Sequence, residues 1–466
     1  MNTIFFKTMF LLSNFEFQML PLFRILSLSS LVSGFPSNAE PNLPKLEPSS
    51  FIVKVLENGT PVKDSLNKED LLKPNSAIVT CIGNERVTSK DHFQDTRLMK
   101  FTLENLNYDP GDVLVVRPQN SDQAVNYFFE LFKNRKDDFN ENSVVNVSKN
   151  IENIFIPPAL DKPVAFKNVI KEYFNLDTMP RRYTLEIFWH FTDREEERQN
   201  LMKFMSAEGT KEFYKRFILP KRTVLEVLEE FPGVVEKIPI DYLFEIFQDI
   251  KPRSYSIASS PKVHKDEIHL LVAVVNYKTD LDKPRSGLCS TWLASFQNGS
   301  KAAVYLAKGL LSFPKSKDSP TMIMVGPGTG IAPFRSYVHQ TSDSNETDKN
   351  YVFFGCRSQS ADYYFADEWD TLQKENKTHL FAAFSRDQPE KIYVQHIIEK
   401  NAELMWKLIA HRNASIYVAG NAINMPNEVK KAFISSYSSY GNVSQTRAEE
   451  FFMDMETNGR YQTETW

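Results

Sequence analysis

In TMIMVGPGTGIAPF, the glycines Gly326, Gly328 and Gly330 stand where a run of buried-type residues stops and a helical pattern starts. Glycines there let the backbone approach a pyrophosphate, and the helix N-terminus beyond them offers oriented N–H groups and partial positive charge. Pro333 falls in the first turn of that helix, where its missing N–H costs nothing. The spacing is not the usual G-x-G-x-x-G, so a plain strand-to-helix turn competes with a phosphate loop. The following segments separate the two. A site for NAD places an acidic residue about 20 positions on to hold the ribose 2′-hydroxyl. Here the second strand ends in FFGCRS, with Arg357 and no carboxylate. The third ends in AFSRDQPEKIYVQH, putting Ser385, Arg386, Lys391 and Tyr393 at the same edge. Two cations and two hydroxyls suit a 2′-phosphate, and the ring suits adenine. The pattern favours NADP over NAD and over a solvated charge run.

A second constellation lies upstream. In KPRSYSIASS a strand presents Arg253, Tyr255 and Ser256: a guanidinium for phosphate, a ring for stacking and a hydroxyl for hydrogen bonding. In RSGLCSTWLASF the small residues from Gly287 to Thr291 lead into a helix, an arrangement suited to a diphosphate. Either alone is equally a barrel edge or a helix cap. Together they suggest a second nucleotide cofactor.

The elements that must position these residues follow from periodicity. RLMKFTLENL and DVLVVRP, separated by DPGD, alternate as antiparallel strands, and strand character returns at RSYSIASS, EIHLLVAVVNY and KAAVYLAK. Between them VNYFFELFKN, TLEIFWHF, EEERQNLMKFMS and TVLEVLEEF carry apolar residues at helical spacing. TMIMV, YVFFG, HLFAAF and SIYVAG are short apolar runs of the buried parallel type. The expected fold class is multidomain β plus α/β: an antiparallel barrel (77–119 and 250–314) with a helical connecting insertion (120–249), followed by a doubly wound parallel-sheet domain (315–466). Residues 1–76 read as a disordered leader and linker with one strand at FIVKVL.

Composition narrows the function classes. The chain has 466 residues, 42% hydrophobic and 24% charged, as in an ordinary globular protein, and a formal net charge of −4 gives no sign of a nucleic-acid partner. Cys81, Cys289 and Cys356 are too scattered for a disulfide framework or a metal site, which favours the cytoplasm. Asn14, Glu16, Gln18 and Arg24 interrupt the apolar leader before the roughly 20 residues that a membrane span needs, so no firm membrane anchor is expected. A disordered or misplaced start is preferred there to a signal peptide.

From Ala77 to Trp466 the chain resembles the reductase half of the NADPH-dependent diflavin oxidoreductases, on RSYSIASS, GLCSTW, GPGTGIAPF, FFGCRS, AFSRDQPEKIYVQH and RYQTETW. HFQDTRL, PRRYTLEIF, AGNAINMP and QTETW are most similar to the cytosolic branch that feeds iron–sulfur cluster assembly. The resemblance implies that the barrel binds FAD through Arg253, Ser254, Tyr255 and Ser256 and through Gly287, Leu288, Cys289 and Ser290. It implies NADPH on the glycine loop with Thr329, and on Ser385, Arg386, Lys391, Ile392, Tyr393, Val394 and Gln395. Glu428, just past AGNAINMP, joins the cofactor-binding candidates. Ser256 would hydrogen-bond near flavin N5, Glu464 would stand near the nicotinamide, and Trp466 would cover the flavin and be held by the cofactor it covers. A cysteine that many relatives place near the nicotinamide reads here as Ala419, and a basic FAD contact falls on Lys221 or Arg222. A flavodoxin-like FMN domain is also implied, yet nothing before Ala77 resembles one, so FMN is expected only from a missing domain, in cis or in trans. The implied partner is a protein electron acceptor, an iron–sulfur assembly protein. A single-flavin ferredoxin–NADP reductase and a catalytically idle docking module are the alternatives. The helical insertion speaks against the first, and the joint presence of Ser256, Glu464 and Trp466 against the second.

Overall fold

The computed structural model describes residues 45–56, 73–135, 139–152, 154–279, 284–314, 320–343 and 349–466. The leader, most of the linker and the middle of FPKSKDSP lie outside the described residues. In chain order the strands are β1 (Phe51–Leu56), β2 (Ser76–Arg86), β3 (Thr96–Thr102), β4 (Asp112–Val116), β5 (Val144–Lys149), β6 (Val164–Ala165), β7 (Arg253–Ser256), β8 (Glu267–Ala273), β9 (Asn276–Tyr277), β10 (Arg285–Ser286), β11 (Lys301–Lys308), β12 (Met322–Val325), β13 (Asn350–Cys356), β14 (His379–Phe384), β15 (Ser415–Gly420) and β16 (Tyr461–Thr465).

KAAVYLAK buries Ala302, Val304 and Leu306 and turns the residues between them outward. That period of two is what a half-solvated antiparallel strand requires. The six barrel strands run β7-β4-β11-β2-β3-β8, antiparallel throughout. A bridge between Ile257 and Leu270 brings the two edges together, so the sheet nearly closes. Its interior is filled by Met99, Phe101, Leu114, Leu270 and Val304.

Between β4 and β7 the apolar spacing becomes helical. Helices Asp122–Phe132, Arg182–His190, Glu195–Met205 and Val224–Leu228 form where that spacing placed them. Ser121 caps the first through the Ala124 N–H, and Thr223 and Glu226 form a reciprocal capping box on the last. Phe128, Phe166, Phe174, Phe244 and Phe247 make an aromatic core beneath them, with Phe174 stacked on Phe247 at 5.3 Å. The block is not wholly helical as expected. VVNVSK forms β5, buries Val145 and Val147, and pairs with β1 and β6 in a small sheet. Six alternating residues inside a helix-rich window are too few to dominate its periodicity. The strand foreseen at FIVKVL therefore does not stand in a free linker: β1 pairs along its length with β5, and the Ser50 N–H donates to Glu245 at 2.6 Å.

The second domain is a parallel sheet of order β14-β13-β12-β15-β16. β12, β13 and β15 are buried at every position, as parallel strands covered on both faces must be. Helices Ala332–Thr341 and Ala366–Lys374 pack on one face; Val394–Lys400, Ala402–His411, Met425–Gly441 and Gln445–Thr457 cover the other. From β12 the chain moves outward to β13 and β14, then returns to β15 on the opposite side. The crevice outside the carboxyl ends of β12 and β15 is thus the topological switch point, where such sheets take ligands.

Candidate active site

The glycine loop fills that switch point. Gly328–Ile331 is a single 3-10 turn leading directly into the Ala332–Thr341 helix, with Pro333 in its first turn. The three glycines have different tasks. A Cβ on Gly326 would lie 2.6 Å from the Gly330 carbonyl oxygen, and one on Gly330 would lie 2.1 Å from that of Ala419. These two permit close packing of loop on loop and loop on β15. Gly328, at φ +58, meets nothing within 4 Å and faces open space. Thr329 beside it is half-buried.

At the next strand ends the Ser385 N–H donates to the Cys356 carbonyl, at 3.0 Å, and the Arg386 N–H to that of Arg357, at 2.8 Å, extending the β13–β14 ladder. Ser385 is buried, whereas Arg357, Arg386, Lys391 and Tyr393 are exposed along the edge. The Tyr393 N–H is held by His396 Nδ1 at 3.1 Å. Ile392 and Val394 pack into the core and Gln395 is half-buried. FFGCRS itself carries no carboxylate, but one from the following turn holds its backbone. Asp362 accepts the N–H groups of Arg357 (2.9 Å) and Ser358 (2.7 Å). It comes from the following turn, which strand-end spacing alone does not bring back. Glu428 sits in the first turn of Met425–Gly441 and pairs with Lys431 at 2.8 Å.

On the barrel, β7 is an edge strand that leaves Arg253 and Ser254 exposed and Tyr255 and Ser256 half-buried. Arg253 Nη1 donates to its own neighbours, the carbonyls of Lys251 and Pro252. Tyr255 shares a hydrogen bond with the Cys289 thiol, and burial pushes both groups up, Cys289 to about 11. Ser290 ties the adjacent loop: its Oγ donates to the Gly287 carbonyl at 3.2 Å and accepts the Val275 N–H at 3.0 Å. A Cβ on Gly287 would fall 2.8 Å from Val275, and Leu288 beside it is half-buried. Of the two basic candidates on the insertion, Arg222 bonds Glu230 at 2.5 Å and the Glu226 carbonyl at 2.8 Å. Lys221 carries its ammonium 5.1 Å from the Tyr277 ring on β9. The Glu226 carboxylate takes Arg285 of β10 through two bonds of 2.8 and 2.6 Å, so the insertion grips the barrel beside the Gly287 turn.

The two constellations meet at Ser256 and Glu464, 208 residues apart in sequence: Ser256 Oγ donates to Glu464 Oε2 at 3.4 Å. The Leu310 N–H donates to the other oxygen at 3.3 Å. Gly309 makes room, since a Cβ there would lie 3.0 Å from Glu464 and 2.2 Å from the Gly111 carbonyl oxygen. Burial raises the Glu464 pKa, with those two bonds opposing it. Glu464 is held in register opposite Ala419 by β16, a strand that the apolar pattern did not reveal because YQTET has one apolar residue. Trp466 is 55% exposed. Its backbone is held by the sheet: its N–H donates to the Gly420 carbonyl, and its carbonyl accepts the Ala422 N–H, both at 3.1 Å. Sequence reasoning also missed Arg335, 2% exposed, whose Nη1 donates to the Ala258 carbonyl at 2.7 Å. The APFR position gave no sign that a cation would be buried there.

Two family models match the chain. A model of the FAD binding domain matches residues 72–292, and one of the oxidoreductase NAD-binding domain matches 324–431. NADPH-dependent diflavin oxidoreductase 1 of Mus musculus is 35% identical over 436 residues, 90% of this chain and 71% of that protein. Its namesake from Debaryomyces hansenii is 32% identical, over 94% of this chain and 74% of its own length. The chain belongs to the NADPH-dependent diflavin oxidoreductases. Against the Xenopus laevis member, 41% identical over 83% of this chain, it spans 64% of the relative's length.

The first of these domains is named for FAD and the second for a nicotinamide dinucleotide, and the donor set fits FAD and NADPH. Gly328 leaves an open backbone cradle at the switch point, Arg386 and Lys391 offer exposed cations, and the remaining guanidinium face of Arg253 is turned outward on an edge strand. Among the described residues no group of side chains could hold a metal ion, and no helix is long and apolar enough to cross a membrane.

Proposed function

We propose that this chain is the NADPH-oxidising part of a longer electron-transfer enzyme, taking hydride from NADPH and passing electrons through FMN, on a domain in cis or in trans, to a protein acceptor. The observation that carries the proposal is the Ser256–Glu464 contact across the seam between the barrel and the dinucleotide crevice. Bound FAD supplies the chemistry, accepting two electrons as hydride and releasing them singly. The chain's own residues supply position and exclusion of water. Arg253 to Ser256 and the Gly287–Ser290 turn would hold FAD on the barrel edge, where Ser256 presents a hydroxyl to it. Gly328, Thr329, Ser385, Arg386 and Lys391 to Gln395 would hold NADPH, with Arg357 and Arg386 facing its 2′-phosphate. Glu464 is a buried carboxyl at the meeting point, and Trp466 would cover the flavin. An acceptor in cytoplasmic iron–sulfur cluster assembly rests on the resemblance of HFQDTRL, PRRYTLEIF, AGNAINMP and QTETW alone.

The test is direct. Purified protein reconstituted with FAD should oxidise NADPH with ferricyanide, prefer it to NADH, and reduce cytochrome c poorly until an FMN domain is added. A folded chain that takes up no FAD would refute the proposal.

A further inference from the structure

Phe93 is 68% exposed, more than any other Phe, Tyr or Trp among the described residues. It lies in HFQDTRL, in the loop joining β2 to β3, outside both cofactor sites described above. That loop is laid against the dinucleotide domain. The Ser89 N–H donates to the Ala361 carbonyl at 2.8 Å, Thr96 Oγ1 lies 3.2 Å from the Tyr364 hydroxyl, and His92 Nε2 lies 3.7 Å from Asp362. The His92 ring sits against Phe93, with centroids 4.8 Å apart. Asp362 in turn clamps the Arg357 backbone. The Arg357 guanidinium then rests over Phe93, 3.9 Å from the ring centroid.

Among the described residues no carboxylate pairs with that guanidinium. A ring beneath a guanidinium restricts a long, rotamer-rich side chain, yet it uses only the flat face of the cation and leaves the edge N–H donors free for an anion. An acidic partner would have consumed both charge and donors. The Arg386 N–H moreover donates to the Arg357 carbonyl, so the two cationic residues stand on neighbouring strand ends.

We propose that Phe93 is a positioning residue that presents the Arg357 guanidinium to the 2′-phosphate of NADPH, so that a barrel loop sets the nucleotide specificity of the other domain. This rests on the assignment of Arg357 and Arg386 to the 2′-phosphate given above. Recognition of that phosphate then requires the two domains to be docked.

Calorimetric titration of the FAD-loaded protein with 2′,5′-ADP and with 5′-ADP tests it. Phe93→Ala should weaken 2′,5′-ADP roughly three- to tenfold, leave 5′-ADP within about twofold, and be rescued by Phe93→Trp. Unchanged 2′,5′-ADP affinity in Phe93→Ala overturns the proposal. So does an equal loss for both ligands, which would mean that the ring stacks on adenine instead. Arg386→Ala and Arg357→Ala separate the two levels. If both leave 2′,5′-ADP binding intact, the phosphate site itself is misassigned; if both weaken it while Phe93→Ala does not, only the role of Phe93 falls.

Discussion

Glu464 is 9% exposed and reaches two hydrogen-bond donors, the Leu310 N–H and the Ser256 hydroxyl. Burial outweighs them and lifts its pKa above the ordinary 4.5. A carboxyl raised in this way binds its proton more readily when folded than when unfolded, so its contribution is best below the unfolded value and falls as pH rises through the folded one. Glu464→Gln keeps the shape and the acceptor without the charge. Its thermal midpoint should match wild type near pH 4 and exceed it at neutral pH, measured by scanning calorimetry. The same variant should slow reduction of FAD by NADPH about tenfold, or about 1.4 kcal/mol, in stopped-flow absorbance. Wild-type speed would remove Glu464 from the chemistry. Both residues of the contact were legible as types, through RSYSIASS and QTETW. Their meeting was not, because it depends on a barrel edge and on a strand with one apolar residue, joined across most of the chain.

A loop and a strand end decide what the glycines do. Their spacing announces a turn, but only packing shows that Gly330 is buried against Ala419 and that Gly328 faces outward. Gly330→Ala should overpack β15 and cost about 1–3 kcal/mol, with a lowered midpoint and weak cofactor retention. Gly328→Ala carries a left-handed φ penalty of about 1 kcal/mol but clashes with nothing in the protein. Its larger effect should be on NADPH affinity, read by fluorescence titration; equal losses of stability and affinity in both variants would show that the loop is structural only. The fold was read with similar limits. Long helices and fully buried parallel strands declared themselves by period; β5 did not, being six residues set in a helix-rich window, nor did β16, which has one apolar residue.

Over the whole molecule, the two domains are joined through the Ala332–Thr341 helix and the IASS end of β7. Arg335 spans the seam, bonding Glu368 at 2.7 and 2.8 Å and the Ala258 carbonyl at 2.7 Å; Ser336 donates to the Ser259 carbonyl and Ser260 to Gln340. Two histidines are wedged there. Burial first, then the charges of Arg335, His269 and His339 against that of Glu368, push His264 down to about 3. Burial and the charges of Arg335 and Lys100, opposed by Glu267, push His269 down to about 4. The unfolded chain protonates these rings near 6.5 and the folded one does not, so stability should be lost as pH falls from about 6.5 towards 4. His264→Gln should flatten that part of the midpoint-versus-pH curve, and an unchanged slope would place the acid sensitivity elsewhere. The barrel itself carries a further consequence. β4 and β7 are antiparallel neighbours, from Val113 opposite Ser256 to Val116 opposite Arg253, so in terms of strand pairing the whole aromatic-cored insertion is the loop of a single β-hairpin. A floppy loop of such length would close at a rising entropic cost. This one is folded and returns its ends side by side: Asn120 bonds the carbonyls of Ile170 and Phe174, the Ile250 N–H bonds that of Tyr173, and Arg117 bonds that of Ile250. It acts as a splint, supplying to the strand that bears Ser256 the alignment that a two-residue turn supplies in a smaller barrel.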